Sequence, residues 1–180
     1  IKLMKFSVII PTIWKSDKTN GLLSKLENTE LVDEIILIDN SKEFYKKIDS
    51  EFRKIVLIQP QENLYVNPSW NLGIKVCKNE LICVCNDDID FNTNIFNYIL
   101  ENKEYLGLIG QIKENYSTEN DGSYELQEVG SREWGWGCLF FLNKKDWKEI
   151  PDQLKIWCGD DFIFSRSEVK KYAVRNFSLK

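Results

Sequence analysis

An α/β fold with a mainly parallel central sheet and flanking helices is what this sequence predicts, and three observations carry that expectation. Short apolar runs bounded by turn residues alternate with segments of helical periodicity, the pattern of βαβ units. Those runs are apolar at nearly every position, as strands covered on both faces must be. At 180 residues, 43% hydrophobic and 29% charged, the chain has the size and balance of one globular domain around one core.

The elements follow in order. Phe6 to Thr12 reads as a buried strand that stops at Pro11-Thr12. Leu22, Leu23 and Leu26 give a short helix. Glu34 to Asp39 is a second strand. Ser41 to Phe52 carries Phe44, Ile48 and Phe52 at four-residue spacing, which predicts an amphipathic helix. Ile55 to Ile58 makes a third strand. Asn67 then caps a helix that has Pro68 at its first position. Leu81 to Cys85 is a fourth strand. Ile95, Phe96, Ile99 and Leu100 mark the inner face of a helix capped by Asn92 or Thr93, and Leu106 to Ile112 is a fifth strand. Glu114 to Glu128 is polar and reads as a surface loop or small hairpin. Trp134-Gly135-Trp136-Gly137 leads into an apolar strand, Cys138 to Leu142. A short helix over Lys144 to Lys148 follows, and another helix starts near Gly159-Asp160-Asp161.

Composition narrows the function. Acidic residues outnumber basic ones, 28 to 24, for a net charge of −4. Nucleic-acid binders ordinarily carry a basic excess, so no nucleic-acid partner is expected. No apolar run reaches the roughly 20 residues that a bilayer span needs. Ile1 to Lys5 lacks the basic start and long apolar stretch of a signal peptide. The five cysteines, Cys77, Cys83, Cys85, Cys138 and Cys158, form no CxxC pair. They read as reduced, largely buried thiols, and the expected compartment is cytoplasmic. The chain contains no histidine. That removes a Ser-His-Asp triad, a Cys-His pair and every histidine-based zinc site. General-base chemistry then falls mainly to carboxylates.

In parallel sheets ligands bind at the carboxyl ends of strands, so Pro11-Thr12, Asp39-Asn40 and Asn86-Asp87-Asp88 are the residues to inspect. Asn86-Asp87-Asp88-Ile89-Asp90 puts adjacent carboxylates on a strand-end turn. Their mutual repulsion is relieved by a hard divalent cation, Mg²⁺ or Mn²⁺, which can also bridge to phosphate oxygens. The plainer reading is an acidic turn before a capped helix. Asp160 and Asp161 open a helix, where carboxylates interact well with its dipole. The alternative is a base that accepts a proton from a hydroxyl, its pKa raised by the neighbouring Trp157. Trp134 and Trp136 are either sugar-stacking faces or core residues beside a tight turn.

Taken in order, these pieces resemble the family 2-like glycosyltransferases of the GT-A fold, which are inverting and nucleotide-sugar dependent. Ser7 to Thr12 looks like the opening strand that meets the nucleotide, which implies donor contacts at Pro11 and Thr12. Ile35 to Ser41 looks like the second strand, whose terminal Asp39 would contact the base or ribose. Asn63-Leu64 through Asn71-Leu72-Gly73 looks like the family's Asn-x-Gly…Asn-x-Gly helix entry, with Leu64-Tyr65 replacing the first glycine pattern. It implies donor contacts at Asn63 and Asn71. Asp87 and Asp88 sit where the family carries its Asp-x-Asp metal motif. The usual first Asp falls on Cys85, and Asp88-Ile89-Asp90 is the alternative register. Gly159-Asp160-Asp161 resembles the Glu-Asp motif, which puts the catalytic base at Asp161 with Asp160 in place of the Glu. The absent histidine departs from the many GT-A enzymes in which a later His completes the metal site.

The resemblance implies one domain over 1–180, with a nucleotide-binding half at about 1–112 and an acceptor and catalytic half at about 113–180. It implies a UDP- or GDP-sugar donor, a glycan or other hydroxyl acceptor lying against Trp136 and Trp134, and Mn²⁺ or Mg²⁺ held by Asp88, Asp87 and Asp90, with Asp87 also on the donor side. Two alternatives stand beside it. One is a non-catalytic module that binds a nucleotide sugar or glycan. The other is a sugar-phosphate nucleotidyltransferase, whose glycine-rich, basic N-terminal loop is not visible after Ile10.

Overall fold

A computed structural model describes residues 4–103, 107–111 and 123–180. In chain order the elements are β1 (Phe6–Thr12), α1 (Thr19–Glu27), β2 (Val32–Asp39), α2 (Phe44–Lys47), β3 (Ile55–Ile58), α3 (Val66–Val76), β4 (Leu81–Cys85), α4 (Ile95–Glu101), β5 (Leu108–Gln111), β6 (Glu125–Glu128), β7 (Leu139–Asn143), α5 (Gly159–Arg166) and β8 (Lys171–Arg175). They build an eight-stranded sheet in the order β3-β2-β1-β4-β7-β5-β8-β6. β3, β2, β1 and β4 run parallel. β7 enters antiparallel between β4 and β5, β8 is parallel to β5, and β6 returns antiparallel along the far edge.

The continuous apolar runs are explained by two core layers, one on each face. Successive side chains of a strand point to opposite faces. Val8 and Ile10 of β1, Ile35 and Leu37 of β2, and Cys83 and Cys85 of β4 meet Leu22, Leu23 and Leu26 of α1 and Phe96 of α4. Ile9, Ile36, Ile38, Ile82 and Val84 face the other way, toward Trp70 and Ile74 of α3 and Ile163 of α5. Each large apolar side chain buried this way stabilises the fold by roughly 1.5–3 kcal/mol.

Local pattern and structure part company in four places. The helix expected over Ser41 to Phe52 lasts only from Phe44 to Lys47, and Ile48 is extended, with φ −111° and ψ 124°. Phe44, Ile48 and Phe52 nevertheless pack on the same core layer, so their spacing reported burial and not a continuous helix. Asn67 is not a cap: α3 begins one residue earlier, at Val66, after Tyr65, and Pro68 sits within its first turn, where no helical N–H is lost. The expected helix over Lys144 to Lys148 is a 3-10 turn, Lys144–Asp146. Asn92 does not cap α4 directly. Its carboxamide accepts the Asn94 N–H at 2.9 Å, and Asn94 flanks the helix.

Parts of two further expectations, positions 106 and 112 of the fifth strand and 114–122 of the polar segment, lie outside the described residues. Cys77, Cys83 and Cys85 are buried, Cys138 is half-buried and Cys158 exposed, all as free thiols. Burial pushes the thiol pKa values of Cys77, Cys83 and Cys85 up. Among the described residues no helix is long and apolar enough to cross a membrane.

Candidate functional site

The chain leaves β1 toward β2 on one side, while β4 lies on the other, and a crevice opens at the carboxyl ends of such a pair. Here it is a cavity of about 330 Å³, lined by Pro11, Thr12 and Ile13 after β1, Asn40 after β2, Asn63, Tyr65 and Val66 at the entry to α3, Asn86, Asp87 and Asp88 after β4, and Ile156. Thr12 organises its floor. Its hydroxyl donates to Asp87 Oδ2 at 2.5 Å and accepts the Trp14 N–H at 2.9 Å. The Thr19 hydroxyl donates to the Asp87 carbonyl at 3.1 Å. Burial raises the Asp87 pKa by more than the Thr12 hydrogen bond lowers it, and the charge of Asp88 adds to the rise.

Asp88 is exposed. Among the described residues neither it nor Asp87 has an ion-pair partner. Among the described residues no group of three or more acid, cysteine or histidine side chains is arranged to hold a metal ion. Two carboxylates without a protein cation still fit a Mg²⁺-like ion, which keeps several waters and takes the remaining oxygens from a substrate phosphate. Asp90, the other half of the alternative register, is elsewhere. It pairs with Lys25, exchanges backbone hydrogen bonds with Lys180, and lines a separate cavity of about 940 Å³ against α1 and residues 178–180.

Two expected donor contacts are used up by the fold. Asp39 is fully buried. Its Oδ1 accepts from the Ser41 N–H and hydroxyl, and its Oδ2 accepts from the Phe44 N–H at 2.8 Å and Gln59 Nε2 at 2.9 Å. Burial alone would raise its pKa, but the hydrogen bonds from Gln59, Phe44 and Ser41 outweigh it and hold the carboxyl below its ordinary value. The Asp39 carboxylate therefore serves the fold as well: it ties down the loop that starts at Asn40. Asn71 likewise turns away from the cavity. Its carboxamide accepts the Trp147 indole N–H and the Ile150 N–H and donates to the Ile150 carbonyl. One helical turn earlier, Asn67 donates to the Leu154 and Trp157 carbonyls. Residues four apart share one helix face, so these two amides hold the 147–157 segment against α3. Gly159 closes that contact, since a Cβ there would lie 2.1 Å from Asn67 Oδ1.

Asn63 does line the cavity, and its Oδ1 accepts the Tyr65 N–H at 2.7 Å. Tyr65 has φ 65° and ψ −164°, a region almost reserved for glycine that costs other residues of order 1–3 kcal/mol. Tyr65 is 44% exposed.

The second acidic pair meets a cation. Arg132 Nη1 lies 3.1 Å from Asp160 Oδ2, and Arg132 Nε donates to Asp161 Oδ1. Asp160 is mostly buried, and a Cβ at Gly137 would lie 2.5 Å from its Oδ2. Burial raises the Asp160 pKa against the pull of Arg132, with the charge of Asp161 adding to the rise. Trp157 is 81% exposed. Asp161 is half exposed and lines a cavity of about 610 Å³ with Arg132, Leu154, Cys158 and Phe162. The 154–158 segment thus borders both cavities, with Ile156 on the first and Leu154 and Cys158 on the second.

The two tryptophans of the Trp-Gly-Trp-Gly run separate. Trp136 is fully buried, stacks on Phe140 with ring centroids 5.1 Å apart, and donates its indole N–H to the Tyr172 carbonyl at 3.2 Å. It is a core residue and offers no face to an acceptor. Trp134 is 71% exposed. Sequence reasoning missed Arg132 and Ile156, which no local pattern marks. It registered Tyr65 only as a departure from glycine, and that departure was the available signal.

The sequence profile described as glycosyl transferase family 2 matches residues 7–172. No curated protein matches the chain by sequence. Among solved structures, S. aureus TarS 1-349 is similar with TM-score 0.69 at 14% identity, over 98% of this chain and 59% of that one. S. aureus TarS is similar with TM-score 0.63 at 15% identity, over 97% of this chain and 36% of that one. S. aureus TarS 1-349 in complex with UDP-GlcNAc is similar with TM-score 0.53 at 17% identity, over 71% of this chain and 37% of that one. The chain therefore spans well under two thirds of the length of these structures. The mostly parallel α/β sheet expected from the sequence is present and matches the GT-A fold.

Proposed function

This chain belongs to glycosyl transferase family 2, and we propose that it transfers a sugar from a nucleotide-diphosphate sugar to an acceptor hydroxyl, with a divalent metal and with inversion. One observation carries the reading: the carboxylates Asp87 and Asp88, without an ion-pair partner among the described residues, line a cavity at the carboxyl ends of β1 and β4, where a parallel sheet binds its ligand. The complex of S. aureus TarS 1-349 with UDP-GlcNAc supports a UDP-sugar as the first donor to test, ahead of a GDP-sugar.

Asp88 and Asp87 would hold Mn²⁺ or Mg²⁺. When bound, the ion supplies positive charge that neutralises the departing nucleoside diphosphate. Thr12 keeps Asp87 in place through its hydroxyl, and Pro11, Thr12 and Asn63 line the nucleoside's seat. Asp39 acts at one remove, by fixing the loop that presents Asn40. On the far side of the 154–158 segment, Asp161 is the base that takes the acceptor proton. Its Oδ1 accepts from Arg132, which leaves Oδ2 for the acceptor hydroxyl. Asp160 is a positioning residue that anchors the other arm of Arg132. Trp134 offers the exposed ring for a sugar acceptor.

Donor hydrolysis and transfer by the wild-type chain, with a panel of UDP- and GDP-sugars, is the deciding experiment. Binding is followed in parallel by calorimetry with Mg²⁺, Mn²⁺ or chelator. Metal-dependent binding with sugar release is expected. Binding without hydrolysis or transfer would make the chain a non-catalytic module. Formation of a nucleotide sugar from a nucleoside triphosphate and a sugar phosphate would make it a nucleotidyltransferase. Equal affinity in chelator would remove the metal.

A further inference from the structure

We propose that Tyr65 is a further binding residue of the donor cavity, its ring forming the face on which the nucleobase stacks. The inference rests on the reading of that cavity as a nucleotide-sugar site and assigns the residue that grips the base.

The backbone at Tyr65 is the first observation. φ 65° with ψ −164° is close to forbidden for a residue with a Cβ, and such outliers persist only where the surroundings over-determine them. Three side chains do so here. Asn63 Oδ1 accepts the Tyr65 N–H at 2.7 Å, Asn40 Oδ1 accepts the Leu64 N–H at 2.9 Å, and the Ser69 hydroxyl donates to the Tyr65 carbonyl while accepting from Asn40 Nδ2 at 3.0 Å. A glycine would satisfy this frame without strain. A tyrosine satisfies it only at a cost, and what it gains is not core packing, because the residue is 44% exposed. Tyr65 instead lines the cavity.

Placement says which part of the ligand it meets. Through Asn40, Tyr65 is tied to the end of β2, whereas Asp87 and Asp88 follow β4. β1 lies between those strands, so the two ends of the cavity stand two strand spacings apart, roughly 10 Å. A nucleoside diphosphate spans that gap with its phosphates toward the acid pair and its base toward Tyr65. An aromatic face suits a base because stacking needs no particular hydrogen-bond pattern.

The test measures affinity for UDP, GDP and inorganic pyrophosphate, with Mg²⁺ present, and the melting temperature, in wild type and in Tyr65→Gly, Tyr65→Ala and Tyr65→Phe. Tyr65→Phe should bind the nucleotides as wild type does. Tyr65→Ala should lose roughly 5- to 150-fold in nucleotide affinity, the range of base–aromatic stacking, with pyrophosphate affinity unchanged. Tyr65→Gly should show the same loss together with a melting temperature higher by about 2–6 °C as the strain is released. Wild-type nucleotide affinity in Tyr65→Ala or Tyr65→Gly would overturn the assignment, and so would an equal loss for pyrophosphate. If wild type binds neither nucleotide, the donor-cavity reading falls and Tyr65 falls with it. If wild type binds and the variants do not differ, only the role of Tyr65 is lost.

Discussion

The molecule carries two adjacent-aspartate pairs, and their surroundings differ in kind. Asp87 and Asp88 follow a strand buried at every position; among the described residues neither has an ion-pair partner, and Asp87 accepts from the neutral Thr12 hydroxyl. Asp160 and Asp161 open α5, and both are held by one internal cation, Arg132. Like charges placed side by side raise each other's pKa unless something of opposite sign is near. The second pair has that counter-charge in Arg132, although burial still raises the Asp160 pKa; the first pair has none among the described residues. Both sites carry an Asp-Asp pair before an apolar residue, so on the proposed reading the long-range partner decides whether such a pair is a place for a metal or a place for a base.

The largest expected effect tests the second pair. Asp161→Asn should lower transfer by roughly 10²–10⁴ while leaving donor affinity and melting temperature close to wild type. Asp160→Asn should lower it less. A reversed order in the transfer assay would move the base to Asp160, and full activity in both variants would remove the base from this region. The first pair is tested next. Asp88→Ala should reduce UDP affinity in Mg²⁺ or Mn²⁺ by roughly 10- to 100-fold, to the level that wild type shows in chelator. Calorimetry that finds no gap between metal and chelator in wild type would erase the contrast between the pairs.

A third carboxylate sharpens the comparison by having a purely structural set of partners. Asp39→Ala leaves the Ser41, Phe44 and Gln59 donors without their acceptor. Hydrogen bonds to charged groups contribute roughly 1.5–3 kcal/mol, and a loss of that order should appear in urea unfolding. The pKa of Asp39 is depressed in the fold. Its stabilisation is therefore present above its ordinary pKa of 3.8 and lost as pH falls through the folded value. Wild type and Asp39→Ala should converge in stability at low pH; a constant gap would sink this account.

The smallest effect has the opposite sign. The Asp160 pKa is raised by burial, so its neutral form is favoured in the fold. Its contribution is complete below the ordinary value and declines as pH rises through the folded one. Stability of wild type relative to Asp160→Asn should decline as pH rises from the ordinary value through the folded one. A rise across that window in thermal melts would mean that Arg132 dominates burial.

Some of this was legible in sequence because it depends on near neighbours. The runs Val8–Ile10, Ile35–Ile38 and Leu81–Cys85 are apolar throughout, which fits strands covered on both faces. That placed the sheet, its carboxyl ends, and Asp87-Asp88 at one of them. What the tertiary structure alone decided involves partners far along the chain. Trp134 and Trp136 are two residues apart in one motif, yet Tyr172, Phe140 and Phe164 bury the second and leave the first outside. Asn71 looks like a ligand-binding amide, and Asn67 like a helix cap, until the 147–157 segment folds across them. Asp39 looks free until Gln59 and Phe44 reach it, and Asp160 and Asp161 look like a bare helix start until Arg132 arrives. A side chain's periodicity records which face is buried. Which polar atoms remain unsatisfied, and so free for a ligand, is settled only when distant segments close over them.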